Sequence, residues 1–119
     1  MFHLSSYKEK NKVSNSYIAS VLIPVKNGEN YIQESIMSIL NQATSGNVEI
    51  VVIDDQSTDA TSEIVRSMAI QNVNIKLMTS PKNGISNALN FGILKSQSEI
   101  IIRLDADDVM QPGRIQSQV

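Results

Sequence analysis

The sequence predicts an α/β fold, a mostly parallel sheet with helices on both faces, on three observations. Short apolar runs rich in β-branched residues recur four times in 119 residues, the pattern of strands covered on both sides. Between them lie segments whose apolar residues repeat at helical spacing. Polar turns bearing Gly, Asn or Asp separate the two kinds of segment, so strand and helix alternate as in a layered α/β domain.

Residues 1–17 (MFHLSSYKEKNKVSNSY) are polar and read as an N-terminal extension. From Ile18 the pattern changes. Ile18-Ala19-Ser20-Val21-Leu22-Ile23 is a buried strand, expected to stop at Pro24, which lacks an N–H. Lys26-Asn27-Gly28-Glu29-Asn30 is a turn. Ile32, Ile36, Ile39 and Leu40 then define an amphipathic helix over 30–42. After the turn Ser45-Gly46-Asn47, Val48 to Ile53 is a second buried strand, ending in Asp54-Asp55. Thr58 or Asp59 is a natural cap for the next helix, whose stripe is Ile64, Val65, Met68 and Ala69. Residues 72–78 alternate more, which suggests a strand nearer an edge. Pro81-Lys82-Asn83-Gly84 leads into a helix over 85–97. Ile100 to Leu104 is the fourth strand, ending in Asp105-Ala106-Asp107-Asp108. Gln111-Pro112-Gly113-Arg114 turns the chain toward one more helix.

Composition narrows the chemistry. Lys plus Arg number 10 and Asp plus Glu 12, for a net charge of −2. That balance argues against a nucleic-acid partner, which calls for a basic footprint, and against docking on anionic lipid. There is no cysteine, so thiolate metal sites, disulfides and thiol nucleophiles are excluded. His3 is the one histidine, which rules against a His-based triad. No run approaches the roughly 20 apolar residues of a membrane span, nor is there a secretory signal pattern. The expected address is the cytoplasm, the inner face of the membrane included.

Ligands of open α/β sheets bind outside the carboxyl ends of the strands. Pro24 to Glu29, Asp54-Asp55 and Asp105 to Asp108 all follow strands, so three clusters distant in sequence are expected on one rim. Three carboxylates within four residues repel one another unless something positive sits among them. Mg²⁺ and similar hard cations bind through one or two carboxylates plus substrate phosphates, which makes a metal-bridged diphosphate the simplest occupant. A D-x-D also reads as a solvated turn capping the next helix. Asp54-Asp55 has a similar double reading, as helix-capping polar residues or as an acceptor for a ligand N–H. Neither G-x-G-x-x-G nor G-x-x-x-x-G-K-[ST] occurs, so phosphates must be held by metal and side chains.

Several motifs in order carry a resemblance: Ser20-Val21-Leu22-Ile23-Pro24-Val25-Lys26-Asn27-Gly28-Glu29, then Ile36 through Leu40-Asn41-Gln42, Glu49 to Ser57-Thr58-Asp59, Gly84 to Ile93, and Arg103-Leu104-Asp105-Ala106-Asp107-Asp108. From about residue 18 onward the chain resembles glycosyltransferase family 2, with its Rossmann-like GT-A fold. The resemblance implies inverting transfer of a sugar from a nucleotide-sugar, usually a UDP-sugar, to a hydroxyl of a saccharide or glycoconjugate acceptor. It implies that Pro24, Lys26 and Glu29 border the nucleoside and that Asp55 hydrogen-bonds the base, with Asp54 beside it. It implies that Asp105 contacts ribose, while Asp107 and Asp108 hold Mn²⁺ or Mg²⁺ on the diphosphate. Arg103 and Asn90 match frequent family positions without an assigned role. In the family the catalytic base and acceptor half lie well past the D-x-D. Residues 18–119 are therefore expected to be the nucleotide-sugar-binding half, with the base beyond Val119 and no complete reaction by this segment alone. Apolar surface facing the other half is expected to favour a homo-oligomer.

Two phospho-aspartyl classes share parts of the pattern. A response-regulator receiver has its acidic pair after the first strand, whereas here a full strand–helix unit precedes Asp54-Asp55. A haloacid-dehalogenase-like domain opens on D-x-D-x-V, whereas three strands precede Asp105. A non-catalytic nucleotide-binding or scaffold module is the remaining alternative.

Overall fold

The computed structural model describes residues 16–119. The expected extension, apart from its last two residues, and His3 lie outside the described residues. Strands β1 (Ala19–Val25), β2 (Val48–Asp54), β3 (Ile75–Thr79) and β4 (Ile101–Arg103) form one sheet in the order β3-β2-β1-β4. Every pairing is parallel. Helices α1 (Ile32–Leu40), α2 (Thr61–Gln71), α3 (Ile85–Lys95) and α4 (Arg114–Gln118) alternate with the strands.

The two central strands are buried along their whole length, which is why their sequences run apolar without alternation. Their side chains still alternate in space. Ala19, Val21, Ile23 and Val25 join Ile32, Ile36 and Ile39 of α1, Val65 of α2 and Ile115 of α4 in one core. Leu22, Val51 and Ile53 pack on the other face against Ala88 of α3. Helices therefore cover both faces, as the sequence predicts. Each fully buried Ile or Leu contributes about 1.5–3 kcal/mol through surface removed from water.

β1 does not stop at Pro24. Ser20 N–H donates to Ile100 O at 2.8 Å and Leu22 O accepts from Leu104 N–H at 3.0 Å, both on the β4 side. By the period of two, Pro24 faces that same side, but β4 pairing ends at Leu22↔Arg103. The missing N–H therefore breaks no ladder bond, and Val25 O accepts from Asp55 N–H at 2.7 Å on the other side. The third strand starts later than 72. Asn72 N–H closes on Met68 O and Asn74 Nδ2 donates to Val48 O, so 72–74 turn the chain before pairing begins at Ile50↔Ile75. β3 lies at the sheet edge, as its alternation suggests.

At Gly92 of α3 an added Cβ would stand 2.6 Å from Ile53 Cδ1 and 2.9 Å from Ile53 Cγ1, so the helix lies unusually close to the sheet. Beside it, Ser20 and Glu49 are register partners in the buried strands. Ser20 Oγ donates to Glu49 Oε1 at 2.7 Å. Gln97 N–H donates to the same carboxylate oxygen at 2.8 Å, and Ser98 N–H to Ser20 Oγ at 3.1 Å. This polar pair fixes the connection from α3 to β4. Glu49 Oε2 is buried without a hydrogen-bond partner among the described residues.

Candidate functional site

Because all strands are parallel, the loops after Val25, Asp54, Thr79 and Arg103 leave one rim of the sheet. The three clusters expected from the sequence share that rim.

The first two loops are stitched together through their backbones. Asn27 N–H donates to Ser57 Oγ at 2.8 Å, and Thr58 N–H to Asn27 Oδ1 at 2.8 Å. Gly28 N–H donates to Thr61 Oγ1 at 2.8 Å and Glu29 N–H to Asp59 Oδ2 at 3.1 Å. Glu29 Oε1 returns the favour, accepting from Ala60 N–H at 3.1 Å. Asp59 thus caps the first N–H of α2, that of Thr61 at 2.9 Å, from one position ahead of the N-cap residue Ala60, while Thr58 is used across the loops. Partial desolvation raises the Asp59 carboxyl, but hydrogen bonds from Thr61 Oγ1, from the backbone N–H groups of Thr61 and Glu29 and from its own N–H together hold it below its ordinary value. Asn27 and Gln56 adopt left-handed backbone, with φ of 53° and 56°. That conformation costs a non-glycine residue about 1–2 kcal/mol and persists where the surroundings fix it.

The expected nucleoside-side residues take different places around these loops. Pro24 is buried in β1, and Lys26 is exposed just past its end. Glu29 is exposed, with one carboxylate oxygen on Ala60. Asp54 is buried, and its Oδ1 accepts from Ser57 N–H at 3.1 Å. Asp55 is buried too, and its two oxygens lie 3.2 and 3.1 Å from one donor, Gly84 N–H. Gly84, with φ of 107°, opens α3. A carboxylate offers about four acceptor positions, so one N–H leaves Asp55 able to accept from a ligand at the rim.

The acidic loop after β4 is held from beneath. Asp105 pairs with Arg103 through Nη2 at 3.0 Å and Nε at 3.1 Å, and Arg114 Nη2 donates to Arg103 O at 3.1 Å. Asp108 N–H closes a turn on Asp105 O at 2.9 Å. Asp107 and Asp108 are exposed, while Ala106 between the first two carboxylates is buried. The sequence reading missed what anchors this loop. Ser35 Oγ reaches both Ala106 O and Asp108 O, the latter at 2.6 Å. Ser38 Oγ accepts from Met110 N–H at 2.8 Å. Gln42 Nε2 donates to Gln111 O at 2.7 Å, and its Oε1 accepts from Ile115 N–H at 3.4 Å. The available signal was the i, i+3 and i+7 spacing of Ser35, Ser38 and Gln42 beside the apolar stripe of α1.

Among the described residues, no three His, Asp or Glu side chains come close enough to hold a metal ion by themselves. Asp105 is committed to Arg103, leaving Asp107 and Asp108 as oxygen donors. That donor set fits Mg²⁺ or Mn²⁺ sharing its coordination with diphosphate and water. Among the described residues no helix is long and apolar enough to cross a membrane.

The family model described as "Glycosyl transferase family 2" matches residues 20–119. The chain belongs to that family. An uncharacterized glycosyltransferase of Haemophilus influenzae is 36% identical over 106 residues, covering 88% of this chain and 42% of that protein. The hyaluronan synthase of Pasteurella multocida is 32% identical over 108 residues, covering 91% of this chain and 11% of the synthase. The crystal structure of S. aureus TarS 1–349 in complex with UDP-GlcNAc superposes with a TM-score of 0.73 at 29% identity, covering 83% of this chain and 29% of that one. The Pyrobaculum calidifontis mannosyltransferase PcManGT, solved with GDP-Man and Mn²⁺, gives 0.74 at 23% identity, covering 98% of this chain and 37% of that one. The fold is thus the GT-A type. The chain spans less than half the length of these relatives.

Proposed function

We propose that residues 18–119 form the donor-binding half of an inverting, metal-dependent glycosyltransferase that uses a nucleoside diphospho-sugar, a UDP-sugar first among them. The observation that carries this reading is the shared rim: buried Asp55 on one loop and the exposed pair Asp107 and Asp108 on another, both at carboxyl ends of parallel strands. The UDP-GlcNAc complex of TarS supports a uridine donor for a chain that resembles it.

In this reading Asp55 accepts from the imide N–H of the base, and the loop 26–29 with Pro24 and Asp54 shapes the nucleoside side. Asp105, steadied by Arg103, faces the ribose. Asp107 and Asp108 would hold Mn²⁺ or Mg²⁺, which when bound supplies Lewis-acid neutralisation of the departing diphosphate. The acceptor, a saccharide or glycoconjugate, attacks through a hydroxyl oxygen. A new C–O bond forms at the anomeric carbon as the bond to the diphosphate oxygen breaks. The hydroxyl proton passes to a carboxylate base within hydrogen-bond reach; none of the carboxylates described above is assigned that part. Residues of this chain bind and orient the leaving side of the reaction.

Titration calorimetry with UDP, with and without Mn²⁺, tests the proposal. Wild-type chain is expected to release heat that grows with Mn²⁺, and Asp107→Asn with Asp108→Asn is expected to remove the Mn²⁺-dependent part. Silence with UDP, GDP and dTDP, with and without Mn²⁺, would overturn it and favour a non-catalytic scaffold module.

A further inference from the structure

The loop that bears Asp107 and Asp108 makes its hydrogen bonds to α1 through main-chain atoms. Two carbonyls two residues apart, Ala106 O and Asp108 O, converge on the single hydroxyl of Ser35. Ser35 is 1% exposed, and its one hydroxyl proton serves both carbonyls. A chain whose alternate carbonyls meet one point must bend around that point, with Asp107 at the apex. Ser38, one turn further along α1, fixes the departing strand of the bend through Met110 N–H. It donates its own proton to Ser35 O at 2.6 Å, so the two serines are linked. Gln42, one more turn along, takes Gln111 O and Ile115 N–H with the two ends of its amide. Side chains at 35, 38 and 42 lie on one face of a helix or its immediate continuation.

We infer that Ser35, Ser38 and Gln42 are positioning residues that set how well the acidic loop accepts a divalent cation, without touching cation or nucleotide. The inference rests on the donor-site reading above. Its physical basis is tolerance. Oxygen ligands of Mg²⁺ lie at about 2.0–2.1 Å in near-octahedral array, and functional groups must be held within about 0.5 Å to work. Asp107 and Asp108 are exposed, and among the described residues no side chain bonds their carboxylates, so the backbone path decides where those carboxylates stand. Residues that orient metal ligands from behind characteristically change metal affinity by about 10–100-fold when replaced.

The test compares wild type with Ser35→Ala and Ser38→Ala in the full 119-residue chain. Two affinities are read by calorimetry: UMP without metal, and UDP across a Mn²⁺ titration. The inference expects both variants to leave UMP binding within about twofold while the half-saturating Mn²⁺ rises about tenfold or more. Ser38→Thr, which keeps a hydroxyl, is expected to recover the wild-type Mn²⁺ response. Circular dichroism follows folding. Ser35 is buried, so if Ser35→Ala fails to fold, Ser38→Ala at its half-buried position decides. An unchanged Mn²⁺ titration in a folded variant overturns the inference. Equal weakening of UMP and Mn²⁺–UDP overturns it as well, since that is the mark of a general structural loss. If wild-type chain shows no Mn²⁺-dependent uptake of UDP, GDP or dTDP, the metal-dependent part of the donor-site reading falls and takes this inference with it.

Discussion

Replacing Gly92 with alanine sets two effects of comparable size against each other. In a helix interior the change gains about 1 kcal/mol of propensity. The new Cβ, however, would stand 2.6 Å from Ile53 Cδ1, 2.9 Å from Ile53 Cγ1 and 3.5 Å from Leu22 Cδ2. Carbon pairs are at ease near about 3.5–4.0 Å, so Ile53 or the helix must yield by about 1 Å. Ile53 and Leu22 are fully buried, and overpacking a dense interior costs about 1–3 kcal/mol. The net expectation is a loss of about 1 kcal/mol. Ile53→Val discriminates, because it deletes the nearest atom. By itself it costs about 1 kcal/mol. Combined with Gly92→Ala it removes the 2.6 Å contact but leaves the Cγ carbon at 2.9 Å; about half of the overpacking cost is relieved, which offsets the cost of Ile53→Val, so the double variant is expected to match Gly92→Ala alone in stability. Urea unfolding of the four proteins, read by circular dichroism, gives the coupling energy. Losses that add to within about 0.3 kcal/mol would refute the close-approach argument.

Two further outcomes concern polar contacts away from the metal loop. Asp59 binds its proton less readily folded than unfolded, so its contribution is complete above the ordinary value of 3.8 and is lost as pH falls through the lower folded value. The gap in thermal midpoint between wild type and Asp59→Asn is therefore expected to shrink as the buffer is taken from about pH 5 to about pH 3; a gap that stays constant contradicts the cap. Ser20→Ala withdraws a donor from buried Glu49 Oε1 and an acceptor from Ser98 N–H. It is expected to lower stability by about 2 kcal/mol in denaturant unfolding, and a change under about 0.5 kcal/mol would show that the pair does not hold the sheet end.

The frame was legible because it rests on periodicity. Val48 to Ile53 is apolar at five of its six positions, and a short β-branched run bounded by turn residues fits a strand covered on both sides. The shared rim followed from the same step, since parallel strands put all their carboxyl ends together. What escaped was whatever depends on partners across the fold. Pro24 reads as a stop until one sees that its vacant edge faces a strand already ended. Glu49 looks out of place in an apolar run until the register sets it opposite Ser20. Glu29 reads as a residue that borders the nucleoside, yet its backbone N–H and one carboxylate oxygen go to the neighbouring loop, 30 or so positions away. Ser35, Ser38 and Gln42 resemble any polar residues of a surface helix, and only the folded chain shows that the acidic turn lies upon them.

The grip on that turn has a corollary for variation. Carbonyl and amide groups are the same whatever side chain they carry, so replacing Asp107 or Asp108 alters what the bend can bind but leaves the points by which α1 seizes it. The route of the backbone and the chemistry displayed upon it are thus separately adjustable, and a metal-binding tip could be exchanged for a neutral or cationic one with the scaffold beneath unchanged.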